Sequence, residues 1–180
     1  MDKEIKVLDK TFKTFISNEQ IEKAIDAVAA RLDHDYAGGD VPILLCVLNG
    51  AIMFTSELMK RLNFDIELVS IKLSSYSGTS STGSVRQPIG LTADVKGRRV
   101  IVVEDIIDSG TTMEELKKIL KEKGAADVKL CTMLFKPDAF KRDYKIDYVG
   151  MEIPNDFIVG FGLDYNEIGR NYRDIYIIEK

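Results

Sequence analysis

Two cysteines and one histidine are all that 180 residues offer to a soft metal or a redox centre. Cys46 and Cys131 each lie inside an apolar run, at 43–48 and 128–135, with no second cysteine or histidine at ligand spacing. They read as small core residues. The lone His34 falls among acids at the expected end of a helix, where a histidine acts as a solvated cap, so no chemistry is assigned to it. Basic residues are not in excess: 25 Lys and Arg stand against 29 Asp and Glu, a net charge of −4. That balance argues against a nucleic-acid or anionic-membrane partner, which needs a surplus of cations on one face. No apolar run approaches a bilayer span, and the start, Met1-Asp2-Lys3-Glu4, lacks an apolar leader segment. A cytoplasmic protein with no membrane partner is the expectation. No repeat, linker or low-complexity boundary divides the chain, so one domain over 1–180 is expected, with a core at about 41–153 and a hood from about 1–16 and 154–180.

What is present is ordinary for a globular chain, 45% hydrophobic and 30% charged. Residues 3–15 suggest an extended segment laid over the domain. Ser17-Asn18-Glu19-Gln20 matches a capping box, and Ile21, Ile25, Val28, Ala29 and Leu32 then form a helical stripe. Residues 42–48 are continuously apolar, as in an inner parallel strand. Asn49-Gly50 ends that run, and Phe54, Leu58 and Leu62 predict a helix closing at Asn63. Strands follow at 66–73, 127–135 and 148–153, with a short closing strand at 174–178. The alternation predicts an α/β fold, a mostly parallel twisted sheet flanked by helices. Residues 74–84 are too rich in Gly and Ser to pack and read as a lid or binding loop. Gly78 and Gly83 have the spacing of a Walker A loop, but Ser84-Val85 stands where Lys and Ser or Thr are required. Gly160-Phe161-Gly162 lacks the third glycine and the helix of a dinucleotide fingerprint.

The stretch that organises the rest is 100–112: Val-Ile-Val-Val, then Glu104-Asp105-Ile106-Ile107-Asp108, then Ser109-Gly110-Thr111-Thr112. Four β-branched residues predict a buried strand. Met113, Leu116, Ile119 and Leu120 predict the helix after a short acidic loop. Ser109 to Thr112 offers free backbone N–H groups, hydroxyls and a glycine at the positive end of a helix dipole, which suits a phosphate monoester. Acids beside a phosphate repel it unless a cation or a sugar intervenes. Glu104 and Asp105 can accept from a vicinal diol and hold a magnesium shell, while Asp108 projects beyond the sugar.

These residues resemble the phosphoribosyl-diphosphate motif of the type I phosphoribosyltransferases, and the Glu-Asp-Ile-Ile-Asp-Ser-Gly form is similar to that of the hypoxanthine-guanine phosphoribosyltransferases. The resemblance runs from about 41 to 173. It implies the fold of that family and purine salvage: transfer of the 5-phosphoribosyl group from phosphoribosyl diphosphate to N9 of hypoxanthine or guanine, giving IMP or GMP and diphosphate. It implies Mg²⁺ as cofactor, held by Glu104, Asp105 and Asp164, and a homodimer or homotetramer. Leu48-Asn49-Gly50 aligns with the diphosphate loop, where a non-proline cis peptide presents backbone N–H groups, and Arg170 with the arginine on the same ligand. Asn49 departs from the lysine common in the family, which keeps the backbone contacts and removes a side-chain charge. Ser75-Tyr76 resembles the tip of a mobile lid. Lys136 matches the lysine that donates to O6 of the purine, Phe157 the ring stacked on the base, and Ile158 the residue whose backbone reads the base edge. By the same resemblance Asp108 accepts the N7 proton of the incoming base. Xanthine-guanine transfer is the alternative enzyme. A regulator that keeps the fold and binds RNA is the alternative from another class, although the relative of that kind carries tyrosine where Asp108 stands.

Overall fold

The computed structural model describes residues 3–73 and 91–179. The expected lid residues Ser75 and Tyr76, with the rest of the polar stretch from 74 onward, lie outside the described residues. Among the described residues twelve elements follow one another: β1 (Glu4–Val7), β2 (Lys10–Ile16), α1 (Asn18–Tyr36), β3 (Ile43–Leu48), α2 (Ile52–Met59), β4 (Glu67–Lys72), β5 (Arg99–Ile107), α3 (Thr111–Glu122), β6 (Asp127–Phe135), β7 (Tyr148–Glu152), β8 (Ile158–Val159) and β9 (Ile175–Ile178). Five strands form a parallel sheet in the order β4-β3-β5-β6-β7.

Each inner strand sends alternate side chains to opposite faces, which is why their sequences are continuously apolar. Leu44, Ile101 and Val103 pack under α1 and α2, whereas Leu45, Val100 and Val102 pack against Met113, Leu116 and Leu120 of α3. Helix α1 begins with the expected capping box: Ser17 N–H donates to Gln20 Oε1 at 2.9 Å, and Gln20 N–H donates back to Ser17 Oγ at 3.4 Å. All five residues of its apolar stripe are buried.

The remaining four strands make a separate small sheet, β1-β2-β9-β8, joining the two ends of the chain. The extended segment expected near the N-terminus is therefore a hairpin, and the closing strand pairs with it through β2. Asp174 Oδ1 accepts from Asn18 N–H at 2.7 Å and ties this sheet to the start of α1.

Two expectations need correction. Helix α2 stops at Met59 rather than running through Leu62 to Asn63. The backbone tightens instead, with Arg61 N–H bonding to Leu58 and Leu62 N–H to Met59, while the Arg61 guanidinium turns back to Glu57, Asp26 and Glu22. Glu104 and Asp105 lie on β5 rather than in a loop, because Ile106 and Ile107 stay paired with Leu134 and Phe135 of β6.

Strand order reverses between β3 and β5: β4 lies to one side and β6 and β7 to the other. Ligands in open parallel sheets bind beyond the carboxyl ends at such a reversal. Both Leu48-Asn49-Gly50 and Asp108-Ser109-Gly110 emerge there.

Candidate active site

A cleft of about 300 Å³ opens at this point, walled by Leu48, Glu104, Asp108, Ser109, Gly110 and Thr112 among others. Its floor is the turn from β5 into α3. Gly110 caps the helix at φ +81°, a left-handed conformation that β-carbon-bearing residues resist. The turn is therefore open toward the first N–H groups of α3, as a phosphate site requires.

Glu104 and Asp105 take different directions. Glu104 lines the cleft. Asp105 lies against Gly50, where a Cβ would collide with its carboxylate, and its Oδ1 accepts from Ile106 N–H at 2.8 Å. Burial pushes the Glu104 carboxyl well above its usual range, and the neighbouring Asp105 charge adds to the effect. Two acids held this close constitute a donor set that a divalent ion with oxygen preference satisfies. Asp164 is not gathered with them, and among the described residues no cluster of three or more metal-binding side chains forms. Asp164 instead pairs with Arg170 at 2.8 Å and caps Glu167 N–H at 2.8 Å. The three expected metal ligands thus fall as a pair and a single residue.

The peptide bond between Leu48 and Asn49 is cis, the geometry expected of the diphosphate loop. Gly162, at φ +96°, packs its backbone against Gly50, leaving no room for a Cβ there. That close approach brings the segment from Asp164 to Arg170 over the loop. Arg170 donates to the Gly162 carbonyl at 2.8 Å and also contacts Glu167 at 2.9 Å. Arg170 holds the Glu167 carboxyl below its ordinary range, with Lys72 and the Asn49 amide adding to it.

On the far side of the cleft, Lys136 Nζ lies 3.2 Å from Asp108 Oδ2. The pairing follows from the sheet: Ile107 and Phe135 are register partners, and Lys136 N–H donates to the Ile107 carbonyl at 3.0 Å. Lys136 is 8% exposed, which is rare for lysine, and its charge is held against Asp108, which lines the cleft. Phe157 is 46% exposed, an open ring with Phe12 and Tyr165 behind it at centroid distances of 6.3 and 5.8 Å. Ile158 is buried on β8 opposite Ile177. Sequence reasoning does not single out Phe12, Tyr165 or the residues packed against the turn at 110–111, Phe140, Arg142 and Tyr144. Arg142 and Tyr144 bond to residues 31 and 34 positions away, and no local pattern marks such contacts.

A family model described as a phosphoribosyl transferase domain matches residues 13–166, which span both the acidic strand end and the turn into α3. A hypoxanthine-guanine phosphoribosyltransferase of Streptococcus pneumoniae is 43% identical over 164 residues, covering 91% of this chain and 89% of the relative. A solved hypoxanthine phosphoribosyltransferase from Staphylococcus aureus matches with a TM-score of 0.85 at 34% identity, over 92% of this chain and 90% of that one. The Trypanosoma cruzi hypoxanthine phosphoribosyl transferase matches with a TM-score of 0.87 at 31% identity, over 97% and 95%. The chain belongs to the hypoxanthine-guanine phosphoribosyltransferase family.

Proposed function

We propose that the protein transfers the 5-phosphoribosyl group of phosphoribosyl diphosphate to N9 of hypoxanthine or guanine, releasing diphosphate and IMP or GMP. The observation that carries this is the Asp108–Lys136 pair, 3.2 Å apart at the ends of adjacent parallel strands. An acceptor and a donor at that separation complement N7–H and O6 on one edge of a 6-oxopurine. An adenine amino group would face Lys136 with another donor, so the pair also selects against it.

In this reading the anomeric C–O bond breaks and its electron pair leaves with diphosphate. The purine nitrogen attacks the opposite face, and the base proton passes to the Asp108 carboxylate. Phe157 stacks on the base, Ile158 presents its backbone to the base edge, and the turn at 109–112 holds the 5′-phosphate. Leu48, Asn49 and Gly50 meet the diphosphate with backbone N–H groups, and Arg170 closes that end. Glu104 and Asp105 at the end of β5, and Asp164 separately, are the residues that would hold Mg²⁺. Bound there, it would neutralise diphosphate and ribose oxygens.

The two free cysteines accord with a reducing cytoplasm. Among the described residues no helix is long and apolar enough to cross a membrane. A homodimer or homotetramer is proposed from the family, in which the C-terminal region of the Trypanosoma cruzi enzyme bears on its oligomeric state.

The decisive assay incubates the protein with phosphoribosyl diphosphate, Mg²⁺ and, in turn, hypoxanthine, guanine, xanthine, adenine and uracil. Nucleotide from hypoxanthine or guanine, and none from adenine or uracil, is the expected pattern. Product from xanthine and guanine with none from hypoxanthine would replace this reading with the alternative transferase.

A further inference from the structure

The turn at 109–112 has an outer wall supplied by a distant segment. Tyr144 Oη donates to the Gly110 carbonyl at 2.6 Å, and Phe140 sets its ring against that of Tyr144 at 5.1 Å between centroids. These two rings occupy the space a Cβ on Gly110 would need. Between them in sequence stands Arg142. Its Nη2 donates to Thr111 Oγ1 at 2.6 Å, and its Nη1 lies 3.3 Å from Glu114 Oε2. Thr111 Oγ1 is in turn 3.2 Å from Ser109 Oγ. Having accepted from the guanidinium, the Thr111 hydroxyl directs its own proton to Ser109 or to an acceptor in the turn. The row Arg142, Thr111, Ser109 therefore ends at the cleft wall with a full positive charge behind it.

A surface ion pair with Glu114 explains only half of this. Arg142 is 34% exposed and Glu114 50%, so the pair by itself contributes little. A guanidinium serving one carboxylate favours both oxygens at once, yet here its two nitrogens are divided between Glu114 and Thr111. Glu114 lies in the first turn of α3, where an acid complements the helix dipole but repels a phosphate bound to the same turn. Arg142 neutralises that acid. Of its five N–H donors, those two contacts use two.

We propose that Arg142 is a ligand of the 5′-phosphate monoester, reaching it across the outer side of the turn. This rests on the phosphoribosyltransferase reading and adds to it a side-chain cation from the loop after β6. Lys136 begins the same loop, and its carbonyl accepts from both Ala139 and Phe140 N–H at 3.2 Å. That tight turn sets the spacing between two cations, one for the base and one for the phosphate.

The test uses the full chain and four proteins: wild type, Arg142→Ala, Arg142→Lys and the double variant Glu114→Gln/Arg142→Ala. The readouts are the dissociation constant for IMP by titration calorimetry and the KM values for phosphoribosyl diphosphate and hypoxanthine. Arg142→Ala is expected to weaken IMP binding and raise KM for phosphoribosyl diphosphate by about tenfold or more, while KM for hypoxanthine holds within about twofold. Lysine should recover part of the loss, and the double variant should remain weak. Unchanged IMP binding in Arg142→Ala, or an equal loss for hypoxanthine, would overturn the proposal. Full recovery in the double variant would overturn it too, because Arg142 would then only screen Glu114. Wild-type protein that neither binds IMP nor makes nucleotide would sink the transferase reading itself, so the two failures are separable.

Discussion

Asp108 and Lys136 leave neighbouring parallel strands one position beyond a matched pair, Ile107 and Phe135, so their side chains meet without any strain in the backbone. The roles proposed for them differ, and so should the effects of removing them. Asp108→Asn keeps the shape and loses the proton acceptor. Turnover should fall by about 10² to 10⁴-fold, with KM for phosphoribosyl diphosphate little changed. Lys136→Ala should act mainly on the base, raising KM for hypoxanthine by roughly tenfold or more. Asp108 is half exposed, so Lys136→Ala costs little stability, whereas Asp108→Asn takes the carboxylate from the buried Lys136. A thermal melt of each variant therefore accompanies the steady-state kinetics that resolve the two. Small, equal effects from both would remove the basis for assigning them separate tasks. The thiols make a simpler case. Burial pushes both Cys46 and Cys131 upward, away from the reactive thiolate form. Iodoacetamide at pH 8 should label neither in the native protein and both in denaturant, as read by mass spectrometry; native labelling would contradict their place in the core.

At the scale of elements, α1 shows local sequence and tertiary packing agreeing. Its capping box closes the N-terminus, and the backbone N–H of Asn18 is taken by Asp174 from the small sheet. Ser17→Ala should therefore destabilise the protein by about 1 kcal/mol. In a domain of this size that lowers Tm by roughly 2–4 °C. Ser17 is not among the residues that wall the cleft, so activity below the transition should be unchanged. A thermal melt alongside the transferase assay checks both parts. Helix α2 shows the opposite case. Leu62 continues its apolar spacing, but Arg61 faces Glu57, Asp26 and Glu22, and the chain turns early. Spacing alone cannot see a cation drawn to acids on another helix. The same limitation applied to β5. Glu104 and Asp105 look like loop residues because they are charged, yet the ladder to β6 continues through them.

For the whole molecule, topology decides what the separate motifs can do together. The reversal of strand order between β3 and β5 puts the Leu48-Asn49-Gly50 loop and the phosphate turn at the same sheet edge. The connection between β8 and β9 then lays Gly162 directly against Gly50, whose backbone leaves no room for a Cβ on Gly162. The small sheet also supplies Phe12 behind Phe157, so the N-terminal hairpin backs the ring proposed to stack on the base although nothing in its sequence suggests a ligand.

The sequence by itself determined the α/β alternation, the buried strands, the capped first helix and the glycine turn into α3. Each of these depends on side chains within a few residues of one another, through periodicity, capping and glycine conformations. It also carried the family resemblance, because the acids, hydroxyls and glycine of 104–112 are contiguous. Only the tertiary structure decided that Asp108 meets Lys136, that Asp164 turns to Arg170 rather than joining Glu104 and Asp105, and that Arg142 stands over Thr111. Those contacts join residues from different elements, and their partners are set by sheet register and close backbone packing. No local pattern in the chain encodes either one.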